Sequence, residues 1–521
     1  MIKKTKVPFD FKASINMKEW RNDFKSSIIE LDLDFFLFHQ EKKILNYIDS
    51  IHCKKKKNLA LLCLPGITHK FNGILISAIA LQEGDKLDIK YVSTIPEVLF
   101  LQSGERVFGD NKATSSPKFL FFRRIARTIS WTKWYQLLSV FFNPDVVAVS
   151  HNGVLRRYVH LTNKKVYFLQ AAELFRRVNL SYIKRPVEKY VPDISNDIYR
   201  ILLNGYTLSN SYKSRFDKLT LDLIKEALIS GFHDLESCYS YSKLPKNIWI
   251  GTGGDYLSRL FALSSVYKGG ESIAFSHSTT PVFSRTKINS LINELAVTSS
   301  YVCASKRAKE LVGQMLTKSI RPSLLYVDGD PLFYNRKEKK RNGNSKPCVM
   351  YASGAIRDLN LGSALLNSMT YLEWQLRLTD LLDSMKIDLM VQPHPEGIFK
   401  DLTLTHPLLD KYNQKKRKFE NIIGKSDVFL IDSINSSVAG MMLLTNKPVV
   451  LIDFGGMMNS YKERLNVKDI IDKRCRVVTV QYNSLNNLPY IDHVQLNKAL
   501  TCNWKELVDP LDIRKVFLDG C

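Results

Sequence analysis

Short apolar runs recur along this chain. Each runs into small and polar residues and is followed by a stretch with helical periodicity. NLALLCLPG (58–66), LDIKYVST (87–94), DVVAVSHNG (145–153), KVYFLQAAE (165–173), NIWIGTGGD (247–255), SIAFSHSTT (272–280) and ELAVTSSYVCAS (294–305) form one series. After the charged, Gly/Ser/Pro-containing stretch RKEKKRNGNSKP a second series begins: CVMYASG (348–354), DLMVQPHPEG (388–397), DVFLIDSINSS (427–437), KPVVLIDFGG (447–456) and RVVTV (476–480). Runs of four to eight apolar residues that alternate with helices read as strands of a parallel sheet buried on both faces. The fold class expected is therefore α/β, with two Rossmann-like domains whose parallel sheets face a central cleft. The boundary falls in the charged stretch: residues 1–335, opening with a helical segment, form the first domain, and 346–521 form the second. A chain of 521 residues has ample length for two cores.

Composition narrows the function classes. Hydrophobic residues make up 45% and charged residues 24%, and no run is long and apolar enough to span a bilayer. The N-terminus lacks the apolar region of a secretory signal, so a cytoplasmic location is expected, peripheral on the inner face of the membrane. Eight cysteines without a CxxC pair argue against structural zinc and a disulfide framework. The net charge of +24 points to an anionic partner. No helix-turn-helix, zinc-finger or RNP pattern accompanies the basic runs, so nucleic acid is not the expected partner. KFLFFRRIARTISWTKWYQLLSVFF (118–142) combines aromatic and aliphatic residues with five cations and no acid. It reads either as an interfacial helix on an anionic membrane surface or as a core helix with a basic edge.

In open parallel sheets ligands bind beyond the carboxyl ends of the strands. In the second series those ends carry Ser353 and Gly354, then His394 and Pro395, then Ser436 and Ser437 at the start of a helix. Backbone N–H groups, an imidazole and paired hydroxyls at a helix N-terminus suit a nucleotide phosphate held without a metal or other cofactor. A turn at His394-Pro395 and a simple N-cap at the Ser pair are the structural alternatives. In the first series Asp255 follows a Gly-rich turn, and it either caps the helix starting at Tyr256 or serves as a catalytic carboxylate. Glu173 ends another run as a second carboxylate, and His277 a third as a phosphate or carboxylate donor. Asn152 and Arg259 are candidates for contact with an acidic sugar's carboxylate, which a guanidinium fork matches. Asp328 and Asp330 have a DxD pattern but sit beside the charged stretch, away from the donor loops.

The pair His394-Pro395 followed by Ser436-Ser437, over about residues 345–460, resembles the HP and SS motifs of bacterial polysialyltransferases and retaining β-Kdo transferases. It is also similar to the C-terminal domain of teichoic-acid-type CDP-glycerol glycerophosphotransferases. The resemblance implies a GT-B glycosyltransferase with a cytidine-nucleotide donor, CMP-Kdo ahead of CMP-sialic acid. It implies donor contacts from His394, Ser436 and Ser437, and a lipid-linked or oligosaccharide acceptor in lipopolysaccharide or capsule synthesis. By the same resemblance Asp255 is the first choice of nucleophile. The teichoic-acid-type enzymes usually carry an acid shortly after the Ser pair, where this chain has Gly440, Met441 and Met442. That departure ranks polyol-phosphate transfer second, and a non-enzymatic polyanion-binding protein third.

Overall fold

The computed structural model describes residues 5–7, 21, 40, 43–86, 89–91, 117–179, 186–187, 190–203, 209–276, 291–327, 347–356, 368–385, 387–394, 405–414, 419–432, 437–443, 445, 447–454, 474–486 and 488–501. Two parallel sheets organise them. The first holds β3 (Val146–Ala148), β4 (Val166–Phe168), β5 (Asn247–Ile250), β6 (Glu271–Phe275), β7 (Ser300–Cys303) and β8 (Ser323–Tyr326), in the order β4-β3-β5-β6-β7-β8. The second holds β9 (Cys348–Ala352), β10 (Asp388–Gln392), β11 (Val428–Ile431), β12 (Val449–Asp453) and β13 (Cys475–Thr479), in the order β10-β9-β11-β12-β13. Neighbours within each sheet all pair in parallel. The expected α/β class with two Rossmann-like sheets is what the chain forms.

The inner strands of both sheets are buried on both faces, while the edge strand β8 is largely exposed, and the alternation of side chains shows how. Along β9, Val349 and Tyr351 enter one core while Met350 and Ala352 enter another; along β11, Val428 and Leu430 part from Phe429 and Ile431 in the same way. In the first sheet Ala148, Phe168, Trp249 and Phe275 share one core, and Val147, Ile248, Ile250 and Ala274 face the other. Helices on each face supply the second layer, as a period-two strand with two apolar faces requires.

The structure departs from the sequence expectation at the start of the first series. NLALLCLPG is no strand: it lies within helix α1 (Lys54–Lys86), with Pro65 inside it. Leu59 through Leu64 are all buried, so the helix is apolar all round over this stretch and period cannot separate it from a buried strand. The 87–94 run contains a short strand, β2 (Ile89–Tyr91), but it pairs with β1 (Thr5–Val7) in a separate two-stranded sheet. Helix α2 (Pro117–Trp131), a 3₁₀ turn (Trp134–Gln136) and α3 (Leu137–Phe142) precede β3. Helices α4 (Gly153–Leu161) and α5 (Ala171–Asn179) follow β3 and β4. Helices α6 (Tyr190–Leu203) and α7 (Asn210–Ser240) come before β5, and α8 (Tyr256–Tyr267) follows it. Close packing of α1 on α7 depends on Gly231, where a Cβ would stand 2.4 Å from the Cys63 sulfur. The charged stretch and the Asp328/Asp330 pair lie outside the described residues.

Candidate active site at two switch points

Each sheet has one place where successive crossovers leave in opposite directions. In the second sheet β9 has β10 on one side and β11 on the other, so the switch point opens between β9 and β11. In the first, β3 lies between β4 and β5, so it opens between β3 and β5. Outside the carboxyl ends of such strands the two chain directions diverge and leave a crevice for a ligand.

At the second-sheet switch point Ser353 and Gly354 leave β9, and helix α11 (Ser437–Leu443) begins six residues beyond β11. Ser437 thus stands in the first turn of α11, at the positive end of the helix dipole. His394 is partly exposed and follows β10 on the other side of β9, about 10 Å from the β11 end at two strand spacings. Pro395 and Ser436 lie outside the described residues, as does the Ser437 side chain. Ser353 is buried, and its hydroxyl has no hydrogen-bond partner among the described residues.

Gly354 does something other than expected. Its N–H turns inward, 2.6 Å from the Tyr371 hydroxyl and 3.2 Å from Asp432 Oδ1, so it is not a free donor for a phosphate. Asp432, the residue directly after β11, is fully buried. Its Oδ1 accepts from Tyr371 at 2.8 Å and its Oδ2 from Tyr351 at 2.5 Å. Tyr371 reaches across from helix α9 (Ser368–Ser384). Burial pushes the Asp432 carboxyl up to about 6, while the donors from Tyr351, Tyr371 and Gly354 pull it back. The carboxylate thereby ties the β9 loop to the β11 loop across the switch point. Nothing in the LIDSINSS run marks Asp432 for this, because its partners are 61 and 81 residues away.

At the first-sheet switch point the loops after β3 and β5 are laced together. Asn152 caps α4 by accepting from Leu155 N at 2.8 Å. Its amide donates to the carbonyls of Phe275 at 2.8 Å, Ser276 at 2.9 Å and Gly251. Asp255 caps α8: its Oδ2 accepts from Ser258 N at 2.9 Å and lies 2.8 Å from Ser258 Oγ. Ser258 Oγ is 3.0 Å from Ser150 Oγ, which accepts from Gly251 N at 3.0 Å. The capping alternative for Asp255 is therefore realised, and its Oδ1 has no hydrogen bond among the described residues. The glycines here are close-approach residues. A Cβ on Gly251 would lie 2.3 Å from the His151 carbonyl carbon, and one on Gly253 would lie 1.9 Å from the Asn293 oxygen.

Two expected ligand contacts become framework. Arg259 is 1% exposed, and its guanidinium donates to the carbonyls of Asn293 at 2.7 Å, Ile292 at 2.8 Å, Gly253 at 3.1 Å and Leu61. Burial lowers its pKa to about 9. With its fork spent on main chain it is not placed to meet a sugar carboxylate, and Asn152's amide is spent in the same way. Beside it Glu294 is raised to about 7 by burial, opposed by the Tyr301 hydroxyl that donates to it. Glu173 is half-buried in the first turn of α5 rather than at the strand end. Its Oε1 accepts from Arg124 at 2.5 Å and Arg177 at 2.9 Å, which pins α2 to α5. His277 lies outside the described residues.

Two doubly wound parallel sheets, each with small polar loops at its switch point, define a Rossmann-like α/β protein. No protein-family model matches the chain, and no curated protein matches it. Among solved structures one titled "Crystal Structure Analysis of the Glycotransferase of kitacinnamycin" aligns over 71% of this chain and 92% of its own, at 12% identity and a TM-score of 0.33. A likeness at that level says nothing of this chain's activity.

Proposed function

We propose that the chain is a glycosyltransferase of GT-B type that moves an acidic sugar from a CMP-activated donor, Kdo before sialic acid, to a lipid-linked or oligosaccharide acceptor in lipopolysaccharide or capsule synthesis. One observation carries the reading. The loops that hold Ser353 and the start of the Ser436-Ser437 helix flank the switch point of the second sheet, and the loop of Asp255 flanks that of the first. The likeness of His394-Pro395 and Ser436-Ser437 to the HP and SS motifs supplies the cytidine donor.

In this reading the α11 N-terminus and the Ser436-Ser437 hydroxyls hold the donor phosphate, with the free hydroxyl of Ser353 beneath it and His394 at its flank. An imidazole beside the bridging oxygen stabilises the charge that builds on the leaving nucleotide as the glycosidic bond breaks. Asp255 presents its uncommitted Oδ1 toward the reacting carbon, while the cap to Ser258 fixes the other oxygen. Glu173 and His277 are the further candidates on that edge. Because the phosphate would be met by N–H, hydroxyl and imidazole groups, the reaction is proposed to need no metal.

Transfer assays with CMP-Kdo, CMP-sialic acid and CDP-glycerol in parallel, with and without EDTA, test this. CMP-Kdo is the donor expected to be consumed, and His394→Ala and Asp255→Ala should each abolish transfer while melting close to the parent. Turnover of CDP-glycerol alone would make the protein a polyol-phosphate transferase. Full activity in both variants, or no thermal shift with any cytidine nucleotide, would remove the assignment.

A further inference from the structure

Among the described residues, seven of the fifteen exposed large hydrophobics fall between Phe121 and Phe142: Phe121, Phe122, Ile129, Trp134, Tyr135, Phe141 and Phe142. Trp134 is 84% exposed, Phe142 87% and Phe122 68%. Among the described side chains of α2, Arg124, Thr128 and Trp131, spaced four and three apart, are buried, and Phe121, Phe122, Ala126, Ile129 and Ser130 are exposed, so a cation lies inside and aromatic rings outside. An ordinary surface helix buries its apolar stripe and shows its polar one. Here the inward cation pairs through one guanidinium nitrogen with Glu173, Thr128 Oγ1 accepts from Phe168 N at 3.2 Å, and the aromatic rings are left outside.

The patch is built rather than loose. Trp131 packs on Phe168, Arg127 lies over the Phe168 ring and donates to His151 Nδ1 at 3.1 Å, and Phe141 meets Tyr167 edge-on. The turn bearing Trp134 and Tyr135 is held by Lys133 and Gln136, which donate to Asn163 at 2.8 and 2.9 Å. Five cations lie in 118–142, and no acid occurs between Pro117 and Pro144.

We infer that this face docks onto the surface of an anionic phospholipid bilayer. Trp, Tyr and Phe rings mixed with Lys and Arg match the headgroup boundary, where rings enter the apolar edge and cations meet lipid phosphates. A second copy of the chain fits worse, because joining two such faces would stack like charges on a chain of net charge +24. No described helix is long and apolar enough to cross a membrane, so attachment through this face is interfacial. The same contacts seat it beside the carboxyl ends of β3 and β4, through His151 and Glu173. On the functional reading above, which this placement extends, an acceptor with a lipid tail would enter the first-sheet edge from the plane of the bilayer.

Vesicle flotation tests the docking without any nucleotide or transfer activity, so its outcome is independent of the donor assignment. The full chain is floated with phosphatidylcholine vesicles and with vesicles in which a quarter of the lipid is phosphatidylglycerol, at about 0.1 M salt, where charges are screened beyond about 10 Å. Binding is expected on the anionic vesicles, weaker on the neutral ones and weaker in higher salt. The double variant Trp134→Ser/Phe142→Ser changes only exposed rings and should melt like the parent. It should lower the partition coefficient by about tenfold or more. A parent that stays unbound, or a double variant that binds as well as the parent, would overturn the proposal. So would a parent whose concentration-dependent dimer is lost in the double variant, which would give the face to a second copy.

Discussion

Asp432→Asn isolates the carboxylate that joins the two loops of the second-sheet switch point. The buried carboxyl takes its proton at about 6 in the folded chain, against an ordinary 3.8. The folded state therefore holds this proton over a pH range where the unfolded state has released it. Stability from this group is fully present below about 4, falls as pH rises through the window to about 6, and is flat above it. A rise of about two pKa units corresponds to about 3 kcal/mol. Asparagine has no proton to lose, so the variant should gain about 3 kcal/mol relative to the parent between pH ~3.5 and pH ~7. Glu294 and Glu373 are raised as well and shift stability in the same direction, but both proteins carry them, and the difference cancels that background. Urea titrations of parent and variant across this range, at matched ionic strength, give the difference directly. A difference that is flat with pH, or that moves against the variant as pH rises, would refute the buried, hydrogen-bonded carboxylate described here.

Two further predictions concern the first-sheet edge. Gly253→Ala places a Cβ on the Asn293 oxygen and Gly251→Ala places one on the His151 backbone, so each should cost about 3 kcal/mol in thermal or urea unfolding. Gly254→Ala, whose nearest neighbour would be the Thr252 hydroxyl at 3.4 Å, should cost less than about 1 kcal/mol. Equal effects at Gly253 and Gly254 would mean the loops are not in contact. Arg259→Met removes the donor shared by the Leu61, Gly253, Ile292 and Asn293 carbonyls and should destabilise by about 3–5 kcal/mol in the same assay, with Arg259→Lys recovering only part. A stable Arg259→Met variant with a raised KM for the donor would restore this residue to the ligand.

What the sequence made legible is what local pattern encodes. The apolar runs that became β3, β5, β9 and β11 end where small polar residues begin, and in an open parallel sheet ligand groups are presented beyond the carboxyl ends of the strands. The pattern alone therefore places Ser353 and the α11 start beyond strand ends, and the strand order of the folded sheet puts those ends at a switch point. The 58–66 run is not separable by pattern: after Asn58, six consecutive apolar residues fit a buried strand and a buried helix equally, and the helix they form packs on α7 at Gly231, more than 160 residues away.

The roles of individual polar residues were less legible for the same reason. Arg259 beside a Gly-rich turn has the chemistry of a carboxylate ligand, yet its acceptors are backbone oxygens at Leu61 and Asn293, positions that carry no side-chain signal. Asp432 shows the converse, since an unremarked acid after a strand becomes the tie between two loops because tyrosines from β9 and α9 arrive above it. At both switch points groups that meet main chain tie the loops together: Asn152 and Arg259 in the first sheet, and Asp432 with the Gly354 N–H in the second. If the chain is the proposed transferase, transfer should therefore respond to Ser353, whose hydroxyl has no partner among the described residues, and to Asp255, whose Oδ1 has none there, before it responds to Asn152 or Gly354.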